Sequence, residues 1–227
     1  MTRTHVLGAS ILLLGVMLFG WGRLHQGPER HASFDFQTGA LGAGVQRVIF
    51  GPFRGWGADY NLLMLFNVYD RIIQAGTVEQ RKKQLWQYVA QRLQAASHLD
   101  PSFKDTYRLT SGLLAFHEGQ AALAVDLLMR GASSRPWDWE EPLLAGFLAE
   151  TYLHQHEKAV DLLNMAARRP NAPPLAIGLA SRIVLRQAGP ETAIEFLEKI
   201  RAGLPRAYQR EIDKRIRRLR AEHREGQ

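Results

Sequence analysis

Apolar residues recur at three- and four-residue intervals along most of this chain, in segments separated by glycine or proline. That spacing places apolar side chains on one side of a helix, so each segment predicts an amphipathic helix. The predicted helices cover residues 57–75, 78–99, 104–117, 120–131, 142–153, 157–168, 175–187, 191–202 and 206–225. The pattern therefore predicts an all-α protein built from short, consecutive helices.

The same pattern predicts which faces of some helices are buried. For helix 57–75 the predicted inner face is Tyr60, Leu63, Met64, Asn67, Val68 and Ile72. For helix 78–99 it is Leu85, Tyr88, Val89, Arg92, Leu93 and Ala96. The last helix has a thin stripe of Ala207 or Tyr208, Ile212, Ile216 and Leu219. A polar outer face with a thin apolar stripe is typical of a capping helix.

Four residue types also recur with a longer period. The series are Gly112, Gly146 and Gly178; Ala124, Ala159 and Ala193; Leu128, Leu163 and Leu197; and Pro136, Pro170 and Pro205. Their intervals lie between 32 and 35 residues, and a partial copy stands upstream at Val89, Leu93 and Pro101. A small residue lets helices approach closely, residues four apart share a helix face, and proline ends a helix. This period is typical of stacked helix–turn–helix repeats.

The segment Ala96-Ser97-His98-Leu99-Asp100-Pro101-Ser102-Phe103 resembles the A-x-x-L-D-P-x-F link of the tetratricopeptide repeat family. Gly112, Ala124 and Pro136 also match that family's small, small and proline positions, whereas Arg108 replaces its usual aromatic residue. Ala115 and Ala149 stand where its usual tyrosine would be. The resemblance covers about residues 58–205. It implies a solenoid of about four helix pairs, followed by a capping helix over residues 206–227, that binds other proteins and has no chemistry of its own.

The resemblance further implies a concave groove lined by the first helix of each pair. The implied lining residues are Leu109, Leu113, Phe116, His117, Leu143, Phe147, Glu150, Thr151, Leu175, Leu179 and Arg182. Many of them are apolar, so the groove would suit an apolar or amphipathic peptide or helix. Two alternatives remain open: these side chains form core, or the segment 30–57 folds back over the groove.

The N-terminal region predicts a membrane segment. After a short leader (residues 1–5), residues 6–22 carry no charged side chain and would span about 25 Å as a helix, roughly enough for a thin bilayer core. A signal anchor and a cleaved signal peptide both fit. We expect a single-pass anchor in a bacterial inner membrane, with the body in the periplasm. Residues 23–57 predict a linker and docking segment, in which Val45, Val48, Ile49 and Phe50 pack on the first helices.

The amino-acid composition and the absence of known motifs argue against several kinds of chemistry. The chain has no cysteine, which excludes disulfides and thiol nucleophiles. His154 and His156 do not share a helix face, and no catalytic motif is present, so we expect no metal, no cofactor and no enzymatic activity. Trp137 and Trp139 either wedge between repeats or form an exposed platform for a partner. Asp138, which lies between them, is predicted to cap a helix.

Charge adds a further alternative for the C-terminal helix. The net charge is +7, and residues 206–227 hold eight Lys or Arg against four acids. Capping is the simpler interpretation, because binding to anionic lipid or nucleic acid would need a wider basic surface. Together the patterns predict a membrane-anchored adaptor or assembly factor that binds a protein in a pilus, secretion or polysaccharide complex. A periplasmic chaperone released by signal cleavage is the alternative.

Overall fold

The computed structural model describes residues 13–17, 21, 41–74, 79–117, 119–204 and 206–225. The chain divides into two compact units, Met1–Gln37 and Thr38–Gln227. In the first unit, residues 13–17 and Trp21 are helical with exposed side chains, and the rest of the predicted anchor, residues 6–22, lies outside the described residues. Among the residues that the structure describes, no helix has both the length and the apolarity needed to cross a bilayer.

The second unit consists of helices and the turns between them. The helices are α1 (Ala43–Phe50), α2 (Arg54–Gln74), α3 (Glu79–Leu99), α4 (Lys104–Leu109), α5 (Ala121–Ser134), α6 (Glu140–Thr151), α7 (His156–Ala167), α8 (Leu175–Arg201) and α9 (Arg206–Glu225). A 3-10 turn, Gly51–Phe53, joins α1 to α2, and a π-helical turn, Thr110–Leu114, extends α4. The described part of the chain contains no strand, which confirms the predicted all-α class.

The helices pair as consecutive hairpins: α2 with α3, α4 with α5, and α6 with α7. Helix α8 supplies a fourth pair, because it breaks at Gly189 into segments 175–188 and 190–201. Gly189 has φ 84° and ψ 176°, a conformation that glycine adopts without steric conflict and other residues avoid. The sequence had placed a break at this glycine and Pro190.

Helix α9 packs against both segments of α8. It runs antiparallel to segment 190–201, with Arg201 Nε 2.7 Å from Asp213 Oδ1 and Arg220 Nη2 2.6 Å from Glu198 Oε1. The predicted stripe residues Ile212, Ile216 and Leu219 are buried in the core with the apolar residues of α8. Most of the basic side chains of α9 remain exposed. The apolar stripe predicted for this helix is therefore buried, and its basic face is exposed.

The repeated alanine and leucine positions form the centre of the core. Ala124, Ala159, Ala193, Leu128, Leu163 and Leu197 are all at most 1% exposed. They come from α5, α7 and the second segment of α8, so the second helix of each pair contributes the same two positions.

The repeated glycines do not share one role, which corrects the expectation that each permits a close helix approach. A methyl group added at Gly146 would lie 2.8 Å from Leu163 Cγ. At Gly112 it would meet nothing within 4 Å, and at Gly178 only the Arg215 guanidinium at 4.0 Å. A close approach that the pattern missed occurs at Gly131, where the added group would lie 2.8 Å from ring atoms of Tyr107.

The predicted inner face is right for α3, whereas for α2 only Val68 of the six predicted residues is buried. All six residues predicted for α3, Leu85 to Ala96, are buried. In α2 the buried residues are Ala58, Asn61, Leu62, Leu65 and Val68, whereas Tyr60 and Leu63 are exposed. Residues 62–66 of α2 are five consecutive apolar residues, so their spacing does not single out one face. In α3, polar residues separate the apolar ones, so the spacing identifies a single buried face.

Helix α1 lies within the segment predicted as a linker, and its orientation reverses the docking prediction. Gln46 is 3% exposed and accepts a hydrogen bond from Asn61 Nδ2 at 2.6 Å, while Val45, Val48 and Ile49 are exposed. Only Phe50 of the predicted docking residues packs inward, with its ring against Gly57. The buried face of α1 is thus partly polar because it meets the polar group Asn61, which Arg92 also contacts at 3.1 Å.

Successive hairpins are joined by contacts between residues about one repeat apart. Lys104 Nζ lies 2.8 Å from Asp138 Oδ2, and Arg135 Nη1 donates to Ser102 O at 3.1 Å. Arg169 donates to the carbonyls of Ala132 at 2.7 Å, Arg135 at 3.1 Å and Asp138. Arg186 contacts Glu150, and the Tyr208 hydroxyl donates to Ala172 O. The separations in sequence are 31–37 residues. Each joint therefore connects equivalent parts of neighbouring hairpins.

The joint at Asp138 is also an electrostatic centre. Burial would raise the pKa of the Asp138 carboxyl, but hydrogen bonds from Lys104 and Arg135 outweigh burial and lower that pKa to about 2. Burial raises the pKa of the neighbouring Glu141, which is 2% exposed. Asp138 Oδ1 also accepts the amide of Glu140 at 3.2 Å, at the start of α6. The N-cap of α6 is Trp139 and not Asp138 as predicted, so the Asp138 carboxylate lies one residue before the cap, where it accepts one amide of the first turn and stabilises a joint between hairpins.

Candidate partner-binding surface

A concavity separates the first helices of the first two hairpins. Its volume is about 510 Å³, and its apolar walls include Leu63 and Phe66 of α2 and Leu109 of α4. Leu63 is 60% exposed and Phe66 65% exposed, so large apolar side chains face solvent here. Asp59, Asp105 and Arg108 add charged groups to its lining. An apolar floor with a few charged groups is the lining that an amphipathic helix or peptide requires.

A second concavity, of about 800 Å³, lies where the first two hairpins turn. The rings of Trp86 and His117 are 3.6 Å apart between centroids, and Phe116 lines the same space. Lys83 and several glutamines add polar groups. Phe116 is 66% exposed and also meets Tyr152 of the third hairpin edge-on, with ring centroids 6.1 Å apart. The lining of the second concavity is thus more polar and more basic than that of the first.

The residues predicted to line a groove fall into separate environments. Leu109 lies in the first concavity, and Phe116 and His117 lie in the second. Phe147 is 42% exposed and Arg182 is exposed, but neither lines these two concavities. Leu113, Leu143 and Leu179 are half-buried, as are Leu109, His117 and Glu150, and Leu143 packs against the core beside α8. The structure therefore brings together only part of the predicted set.

Glu150 is occupied by contacts within the protein. Its Oε2 lies 2.8 Å from His156 Nδ1, and its Oε1 contacts Arg186 of the next hairpin. A partner would have to displace these groups in order to use the carboxylate. Glu150 is therefore placed to join the third and fourth hairpins.

Sequence reasoning missed Leu63 and Phe66 as exposed residues, and it missed the buried Trp86 as part of the lining of the second concavity. The apolar spacing predicts Leu63 on the buried face of α2, but its side chain is 60% exposed. The available signal was the excess of apolar residues on α2: one stripe is enough for packing, and the second, Trp56, Leu63, Phe66 and Ile73, is left exposed. Trp137 is 58% exposed with the Arg135 guanidinium 5.7 Å from its ring centroid, so it faces solvent and does not wedge between repeats.

The described residues bring no three His, Asp or Glu side chains into a cluster that could hold a metal ion. Compared with known proteins, the chain matches no protein-family model and no curated protein. What this surface can do is therefore argued from its own residues: it offers exposed aromatic and aliphatic side chains, with charged groups beside them, for non-covalent binding.

Proposed function

We propose that this chain is a membrane-anchored, tetratricopeptide-like adaptor that binds a protein partner in a bacterial envelope complex. The fold assignment is supported by two similar spacings. Small and apolar residues recur every 32–35 positions in the sequence, and the joints between hairpins connect residues 31–37 positions apart. This spacing favours a solenoid, an architecture whose concave side serves as an extended binding surface.

The observation that carries the binding function is the exposure of large apolar side chains on the first helices and in the turn of the second hairpin. Phe66, Phe116 and Phe147 come from three successive hairpins and are between 42% and 66% exposed. Exposed aromatic residues are typical anchors for a partner, because burying them on binding removes a large apolar area from water. The partner that fits is an amphipathic helix or an apolar peptide.

The proposed mechanism is local concentration. The apolar segment 6–22 would hold the chain at the inner membrane with its body in the periplasm, and a membrane-bound partner would then meet the surface as an effectively intramolecular ligand. The chain would position a component of a pilus, secretion or polysaccharide machine without chemically changing it. No cofactor takes part in this mechanism, and the basic helix α9 acts as a cap.

Site-specific crosslinking tests the proposal. A photo-crosslinking amino acid at position 116 or 147 is expected to capture one membrane protein in intact cells, whereas the same group at Asp126 or Asp161 is expected to capture none. The two control positions are exposed on the second helices α5 and α7. The captured protein, once purified, should bind the wild-type chain directly.

The matched substitutions are Phe147→Asp and Phe147→Leu. Truncating an anchor residue costs at least about 2 kcal/mol, so Phe147→Asp should weaken binding of the purified partner by about 30-fold or more. Phe147→Leu keeps an apolar side chain and should retain most of the affinity. Unchanged affinity in a folded Phe147→Asp protein contradicts the proposed surface. If the mature chain lacks residues 6–22 and is soluble, the released periplasmic chaperone replaces the anchored adaptor.

A further inference from the structure

The two ends of the hairpin stack have opposite outer faces. At the C-terminal end, α9 buries its apolar stripe and presents Arg210, Lys214 and Arg217 to solvent, as a terminal helix of a stack should. At the N-terminal end, α1 packs on α2 and α3 through Gln46 and Phe50 and leaves apolar residues outside. The N-terminal end therefore lacks the polar outer face that the terminal helix of a stack normally presents to water.

The exposed apolar residues at this end are close together in the chain. Val45, Val48 and Ile49 share one face of α1 because they are three and four residues apart, and they are 51%, 83% and 62% exposed. Phe53 and Trp56 follow in the next turns, with ring centroids 5.1 Å apart and exposures of 56% and 71%. A patch of this composition on a soluble surface marks a contact with another apolar phase or partner.

The charges around this apolar patch indicate what it contacts. Residues 36–58 contain no acid, and Arg47 and Arg54 are both exposed and form no ion pair with any described residue. The first 58 residues hold five arginines and only two acids. Arginine beside exposed aliphatic residues and a tryptophan is the combination found in helices that lie in the headgroup region of anionic bilayers.

The bilayer would also be within reach. Residues 23–42 separate the apolar segment 6–22 from α1 along the sequence, and a peptide of this length can span at most about 70 Å. We infer that the outer face of α1, together with Phe53 and Trp56, inserts shallowly into the headgroup region of a bilayer that contains anionic phospholipid. This inference rests on the membrane attachment in the proposed function, but it does not depend on the partner-binding surface.

Spin labels on the full-length chain test the inference, because the protein has no cysteine of its own. Single cysteines replace Val48, Ile49, Asp161 or Leu175, and each labelled chain is reconstituted into vesicles of phosphatidylcholine and phosphatidylglycerol. Asp161 is a polar exposed control, and Leu175 is a matched apolar control that is 57% exposed in α8. Collision rates with oxygen and with a water-soluble nickel chelate then report depth, since oxygen concentrates in the bilayer and the chelate stays in water.

The expected result is a several-fold higher oxygen-to-nickel ratio at positions 48 and 49 than at both controls. Each label is either immersed in the bilayer or exposed to water. Replacing Arg47 or Arg54 by glutamine should lower the equilibrium constant for immersion about fivefold in each case, because one basic residue near an anionic surface contributes an interaction of that size. Lys214→Gln, on α9, should change nothing. Circular dichroism of each variant verifies that the helices remain.

Other outcomes have separate meanings. One outcome is that the chain stays with the vesicles through an alkaline wash while the labels at positions 48 and 49 are as exposed to water as the label at 161. That outcome overturns this inference and leaves the anchor intact. Dipolar broadening between labels on different chains at position 48, without exposure to oxygen, means that a second copy covers the face, which also overturns it. If the wash removes the chain, the anchor fails, and the depths recorded before the wash still decide whether α1 enters the bilayer.

Discussion

Two neighbouring arginines at the end of α7 offer a controlled test of the joints between hairpins. Arg169 donates to three backbone carbonyls, those of Ala132, Arg135 and Asp138. Arg168 is exposed and reaches only Asn164 of its own helix, at 3.5 Å. The sequence gives no reason to treat the two differently, so substituting each in turn isolates the contribution of the joint.

The magnitude follows from the three acceptors. A hydrogen bond from a charged donor contributes about 1.5–3 kcal/mol, and a buried carbonyl left without a donor costs about 1–3 kcal/mol. Because Arg169 is half-buried, water can satisfy some of the carbonyls, and we expect Arg169→Met to destabilise the protein by about 2–4 kcal/mol. For a chain of this size, that corresponds to a fall in melting temperature of about 4–16 °C.

The assay is thermal and urea unfolding of the full-length chain in mild detergent, followed by far-UV circular dichroism. Arg168→Met should remain within about 0.5 kcal/mol of the wild type. Arg169→Lys should fall between the two, because an ammonium retains the charge but lacks the planar fork that reaches several carbonyls. Equal unfolding midpoints for Arg168→Met and Arg169→Met would refute the role assigned to Arg169 and weaken the case for specific joints.

Two further predictions concern packing and pH. Gly131→Ala should destabilise the protein by about 1–2 kcal/mol, because the new methyl group meets the Tyr107 ring and overpacking outweighs the gain in helix propensity; Gly112→Ala, with open space around it, should be neutral or slightly stabilising in the same urea titration. The pKa of Asp138 is lowered to about 2 in the folded protein, so its contribution to stability is present above the unfolded pKa of about 4 and is lost as pH falls toward 2. Asp138→Asn should therefore reduce the stability difference between pH 5 and pH 2, and an unchanged pH profile would contradict the assignment.

The sequence predicts an element well where polar residues interrupt the apolar ones. The bounds of α9 and the buried face of α3 follow from their own patterns, since each has a single apolar stripe. Helix α2 does not, because its apolar residues surround the helix and only the position of α3 decides which of them are buried. The exposed stripe of α2, which forms much of the first concavity, was for that reason not predictable from α2 alone.

Close approaches and the N-terminal helix depend on distant residues. Gly131 is constrained by the ring of Tyr107, which lies 24 positions earlier, and nothing in the local sequence signals this contact. Helix α1 forms in a glycine-rich segment of low helix propensity because Gln46 and Phe50 have partners on α2. Tertiary packing, which stabilises most helices in proteins, thus overrides the local preference.

The spacing of the joints has a mechanical consequence. Contacts such as those of Arg169 and Arg186 link each hairpin to its immediate neighbour along the chain. If the chain were pulled between its two ends, tension would pass through these joints in series, and the weakest of them would set the force at which the stack begins to unfold. Units beyond that point would remain folded, and the protein would lengthen in steps.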